Sequence, residues 1–152
     1  MVKQEPGAYY RVETWATAES PVDNSIEEDR ALASKTREPL PHGAVFRMLE
    51  IWPDEPDREA QRRKIEALHR AVGTKHMPTE ADYARHPAMH RTDTCDVTVC
   101  VRGEVYLMTD TDEVLMRQGD STVIRGVNHA WSNRSTEPVL LAVAMLDAIP
   151  QP

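Results

Sequence analysis

The sequence contains no run of about 18 apolar residues, so no segment of it can cross a bilayer as a helix. Its opening residues, Met-Val-Lys-Gln-Glu-Pro, lack the apolar stretch of a secretory signal. Together these absences lead to the expectation of a cytoplasmic protein with no membrane partner. Positive charge is also scarce. Lys and Arg number 18 against 25 Asp and Glu, for a formal net charge of −7. Neutralising phosphates requires a basic face, so a nucleic-acid partner is not expected. The densest basic cluster, Arg62-Arg63-Lys64, sits among Glu59, Gln61 and Glu66 and reads as a solvated helix face. Only two cysteines occur, Cys95 and Cys100, with no CxxC pair and no metal-finger spacing. Lying on one strand, they cannot bridge without distortion, and they read as reduced, buried thiols. A glycine-rich phosphate loop, a GxSxG elbow and an HExxH helix are all missing. There is no internal repeat and no low-complexity tract.

What remains is one domain's worth of chain. Its 152 residues are 40% hydrophobic and 28% charged, enough for a packed core. Residues 8–16 read as an edge strand. Residues 17–41, with Pro21, Pro39 and Pro41, read as a surface arm that wraps the body or a partner subunit. Residues 42–53 alternate Val45, Arg47, Leu49 and Ile51 against Phe46, Met48, Glu50 and Trp52, which fits a largely buried strand. Residues 57–72 place Ile65, Leu68 and Val72 at helical spacing, with Asp57 to cap and Gly73 to stop. A loop or short second helix follows near 79–85. From Asp96 onward the pattern is β to the end, with turn signals every 8–12 residues, the spacing of a sandwich or barrel.

Two stretches concentrate the chemistry: MHRTDTCDVTVCVRG at 89–103 and GDSTVIRGVNHAWSN at 119–133. Each sets a histidine in or beside a strand. A straight strand rises ~3.3 Å per residue, so His90 and Asp96 share a site only if the chain reverses between Thr92 and Asp96. Asp93-Thr94-Cys95 supplies the turn. His90 and Thr92 then point inward from one strand, and Asp96, Thr98 and Cys100 from the next. By the same period His129, Trp131 and Asn133 share a face. Asn133 also suits the turn at Asn133-Arg134-Ser135.

These two stretches resemble the paired motifs of the cupin superfamily, over about residues 42–147. The first motif of that family carries His-x-His, then Glu, then Gly. Here His90-Arg91-Thr92 stands at the pair, Asp96 at the Glu and Gly103 at the Gly. The second carries Pro-x-Gly, His and Asn; here Ile124-Arg125-Gly126 replaces the opening and His129 and Asn133 match. HRTDT and RGVNHAW are also similar to a subgroup of small single-domain cupins. The resemblance implies an all-β fold, the cupin double-stranded β-helix or jelly-roll barrel, with a short helical insertion at about 56–74. Residues 1–41 would form an N-terminal strand and arm, and 42–152 the barrel, as one domain overall. It also implies a homodimer, with the N-terminal strand available for exchange.

Two chemistries fit the same residues. In the first, His90, His129 and Asp96 hold a divalent metal (Fe, Mn or Zn) with open positions. The family's usual set of three His and one Glu is incomplete here, so a loop histidine, His76 or His86, is the candidate replacement. In the second, His90 and His129 move protons without a metal, and Asp96 orients or stabilises one of them. Thr92 and Trp131 would then shape the pocket, and Arg125 or Arg91 would bind a substrate carboxylate. His69, on the charged helix, is set aside. The leading expectation is a lyase- or isomerase-type enzyme acting on a small organic acid or polyketide-like molecule. An iron-dependent dioxygenase and a non-catalytic ligand-binding cupin are the alternatives.

Overall fold

The computed structural model describes residues 9–34 and 36–150. The expected first-strand residue Ala8 lies outside them. Among the described residues eight strands build two antiparallel sheets. The strands are β1 (Tyr9–Ala16), β2 (Ala44–Ile51), β3 (Thr94–Arg102), β4 (Glu104–Thr109), β5 (Glu113–Arg117), β6 (Ser121–Arg125), β7 (His129–Ser132) and β8 (Val139–Asp147). The five-stranded sheet runs β1-β2-β8-β3-β6, and the three-stranded sheet runs β5-β4-β7. Its two-sheet, mostly β architecture is the double-stranded β-helix. The N-terminal strand pairs with β2 of its own chain along the sheet edge.

Alternation decides which residues face inward. On β2, Val45, Arg47 and Ile51 are buried while Phe46 is exposed. On β3, Thr94, Asp96, Thr98 and Cys100 are buried and Val97, Val99 and Val101 are not. On β8, Val139, Leu141, Val143 and Met145 are buried. These inward side chains meet Val105, Met116, Ile124 and Trp131 in the main apolar cluster. Cys95 and Cys100 are free thiols on β3, and Cys100 is fully buried.

Two helices lie between β2 and β3. The first, α1 (Arg58–Ala71), begins where the Asp57 carboxylate accepts the backbone N–H groups of Glu59 and Ala60. It lays Gln61, Ile65, Leu68 and His69 against the barrel. The second, α2 (Glu80–Arg85), opens with a reciprocal cap between Thr79 and Asp82. This second helix lies beyond the insertion placed at about 56–74, at the loop or short second helix expected near 79–85. Among the described residues no helix is long and apolar enough to cross a membrane.

Between β1 and β2 the arm contains one short 3-10 turn, Arg30–Leu32. It is more than a surface strap. Arg37 and Glu38 are buried, and the Arg37 amide donates to the Val72 carbonyl at the end of α1 (2.9 Å).

Candidate active site

Two backbone hydrogen bonds set the site. His90 N–H donates to His129 O (2.8 Å), and His129 N–H donates to His90 O (2.9 Å). This bridge aligns two histidines that are far apart in the chain. Their rings lie side by side, with centroids 4.3 Å apart. Each Nδ1 is held by a carbonyl two residues back: His90 by Ala88 O and His129 by Val127 O, both at 2.9 Å. A carbonyl only accepts, so both neutral rings carry their proton on Nδ1 and offer Nε2 as the basic nitrogen. Burial pushes the His90 pKa well below the usual imidazole value and brings His129 down to about 4.

The expected reversal at Asp93-Thr94-Cys95 takes a different form. The chain bends at Asp93 and passes from the bridge beside β7 into β3 of the other sheet. Asp96 thus reaches the same cavity from another wall. Its Oδ1 is buried without a hydrogen bond, and burial raises the carboxyl to about 6. The cavity measures about 70 Å³. His90, Asp96, Thr98, His129 and Trp131 all line it. The Trp131 ring meets the His129 ring edge-on at 6.4 Å.

Three expected site residues stand elsewhere. Thr92 is buried, but its hydroxyl bonds the Thr94 hydroxyl (2.7 Å) and it is not part of the cavity wall. Arg91 faces an outer groove and contacts His76. Arg125 ends β6 on the exposed side and lines a separate surface groove with Asp93 and Cys95. The sheet change explains the first two, and strand alternation the third. Once the chain bends at Asp93, the inward set on the first segment ends at His90, while Arg125 follows the inward Ile124 and faces out.

Other residues take their place. Arg47 of β2 and Arg37 of the arm line the cavity, as do Asp54, Gln61 and His69. Both arginines are more than nine-tenths buried, and each has an Nη2 atom with no hydrogen-bond partner. His69 is 1% exposed, packs edge-on against His90 (centroids 5.9 Å) and is brought down to about 3 by burial. Asp54 accepts from Ser132 Oγ (2.6 Å) and Gln61 Nε2 (2.9 Å), and contacts His86 Nε2 (3.3 Å). Burial alone would raise its pKa; the His86 and Ser132 hydrogen bonds prevail and hold it low.

The donors do not fit a metal ion as arranged. His90 and His129 form a pair, but among the described residues no three His, Cys, Asp or Glu side chains group closely enough to hold an ion. Neither loop histidine supplies the third donor. His76 is engaged with Asp93 (2.8 Å) and His86 with Asp54, and both lie off the cavity wall.

No family model matches the chain. It is 30% identical over 127 residues to Phomopsin biosynthesis cluster protein C′ of Diaporthe leptostromiformis, covering 80% of this chain and 51% of that protein. It is 28% identical over 142 residues to the cupin-domain-containing oxidoreductase virC of Hypocrea virens, covering 90% of this chain and 58% of that protein. The chain therefore spans about half the length of these curated relatives. In structure it is similar to a Klebsiella pneumoniae protein with a double-stranded β-helix domain, with a TM-score of 0.53, 12% identity, and coverage of 99% of this chain and 86% of that one. The fold is that of the double-stranded β-helix.

Proposed function

We propose that the chain is a small-molecule enzyme of lyase or isomerase type, moving a proton on an organic acid or polyketide-like substrate. The observation that carries this reading is the His90–His129 pair, whose two Nε2 atoms are left unprotonated and free to accept by backbone carbonyls on both Nδ1 positions. One Nε2 would accept a proton from carbon beside a carbonyl or carboxylate, leaving the electron pair as an enolate. Asp96, raised to about 6, exchanges its proton near neutrality and would return one to the substrate. Trp131 would stack on the planar intermediate. The matched biosynthesis-cluster relatives support a role in small-molecule chemistry.

The test is solvent exchange. Candidate small acids and β-keto acids are incubated with protein in D2O and followed by NMR. Deuterium should enter the activated carbon with wild type, and the rate should fall by ~10²-fold or more with His129→Ala. Equal rates with both proteins would remove His129 from the chemistry. A second reading, an iron-dependent oxygenase, is favoured by the description of virC as an oxidoreductase. It requires stoichiometric iron in the purified protein and oxygen uptake. Tight binding of an unchanged ligand with neither activity would indicate a binding module.

The reading includes a homodimer. Trp15, Phe46, Val97 and Val123 form one row across the outer face of the five-stranded sheet, each at least 41% exposed. Strands spaced ~4.8 Å make this face about 24 Å wide and about 25 Å long. That approaches the ~800 Å² per partner of a stable interface, and a second copy of the same sheet is the proposed occupant. Light scattering should give twice the chain mass, and Val97→Lys with Val123→Lys should give the monomer. A wild-type monomer at high concentration would overturn it.

A further inference from the structure

Arg37 is a buried cation whose own chain does not complete it. It is 7% exposed, its Nε donates to Thr74 Oγ1 (3.0 Å), and its Nη2 has no acceptor. Among the described residues no carboxylate stands at ion-pair distance from it. Arg47, 4% exposed, is held from two sides: its Nε donates to Glu13 (2.9 Å) and its Nη1 to the Arg37 carbonyl (2.9 Å). That second bond ties the two arginines together and leaves Arg47 Nη2 free as well. Both side chains line the cavity that holds His90 and His129. A buried charge without its counter-ion costs several kcal/mol, and a guanidinium is shaped to receive two carboxylate oxygens. Asp96, on the same cavity wall, leaves its own Oδ1 unbonded rather than closing on either arginine. Leu49, Ile51, Ile65, Val143 and Met145 form an apolar part of the same wall.

We propose that Arg37 and Arg47 are the receiver for the carboxylate of a small organic acid, with its carbon chain against the apolar wall and its reactive carbon toward the histidine pair. This rests on the proton-transfer reading of the same cavity and names its substrate class and its anchor. The two arginines come from different parts of the chain, one from the irregular arm and one from the barrel. The site is complete only when the arm is docked. The cavity of about 70 Å³ suits the reacting end of a compact acid. It is well below the ~300–1,000 Å³ of pockets that swallow drug-sized ligands.

The probe is acetate, with acetamide as the neutral match in shape, at constant ionic strength. Acetate should raise the melting temperature of the full chain in a saturable way and acetamide should not. Arg37→Met and Arg47→Met should each weaken acetate binding about tenfold or more. His129→Gln should keep acetate binding while losing deuterium exchange. Equal response to acetate and acetamide, or unchanged acetate affinity in both folded methionine variants, would overturn the receiver. Should either variant fail to fold, wild type labelled with ¹⁵N-arginine decides: two buried guanidinium signals shift on acetate addition, and no shift at saturating acetate overturns the proposal. Arginine-dependent acetate binding without any exchange activity would sink the proton-transfer reading and leave the receiver standing. Exchange activity indifferent to both arginines would do the reverse.

Discussion

Asp96 and Asn133 are both buried polar residues, and they act oppositely on stability. Asp96 has one oxygen without a partner, and its pKa rises from 3.8 to about 6 in the fold. The folded state thus holds this proton more tightly than the unfolded chain. The resulting stabilisation is complete below 3.8 and is lost as pH rises through about 6. Above that range the carboxylate destabilises the fold by an amount of the order of 3 kcal/mol. Asp96→Asn should therefore raise the unfolding free energy near neutral pH and lose that advantage at about pH 4 in urea titrations. A variant less stable than wild type at neutral pH would show that the carboxylate is paired in solution. A residue that weakens the fold where the protein works is placed for chemistry rather than for packing.

At the level of elements, the turn after β7 hangs on Asn133. Its amide donates to Ile51 O (3.0 Å) and Glu137 O (2.8 Å), and its Oδ1 accepts from Ser135 N–H (3.0 Å). It is fully buried and joins the end of β2 to the loop before β8. Asn133→Ala leaves those carbonyls without their donor and should cost about 2–4 kcal/mol, read as a lower denaturation midpoint at unchanged m-value. Strands and both helices were legible because each carries its own period and stop signals. The structural role of Asn133 was legible from its Asn-Arg-Ser turn. The cavity was legible only in part. Arg47 stood among the inward residues Val45, Leu49 and Ile51, and His69 lay four residues from Ile65 on the buried stripe of α1, so both left a signal in the pattern. Arg37 left none, since an irregular arm has no period. Arg91 and Thr92 stand off the cavity wall because alternation along one strand does not reveal where a chain changes sheets, and Arg125 because it follows the inward Ile124.

The whole molecule carries a built-in sensitivity to acid. His69 and His129 are buried, His90 is half-buried, and all three are held neutral; His69 falls to about 3 and His129 to about 4, with desolvation the leading cause for each. For a histidine with a depressed folded pKa, the unfolded chain binds the proton first. Stability is complete above the unfolded value of 6.5 and drains away as pH falls toward the folded values. Unfolding free energy measured from about pH 7 down to about pH 4 should fall by several kcal/mol, against the smaller opposite slope from Asp96. His69→Gln should flatten that fall. A profile as steep as wild type would mean that His69 is not the source.

The docking of Arg37 has a consequence for how such a protein can diversify. The two bases are pinned to each other by reciprocal backbone bonds, whereas one anchor for the ligand sits on an irregular segment held by hydrogen bonds from its amide to Val72, from its side chain to Thr74 and from Arg47 to its carbonyl. Reactivity and ligand choice are thereby carried by separable stretches of chain. Libraries confined to positions 30–41 should change which acid is accepted while the histidine pair stays in register. The arm is the natural place to begin re-engineering selectivity.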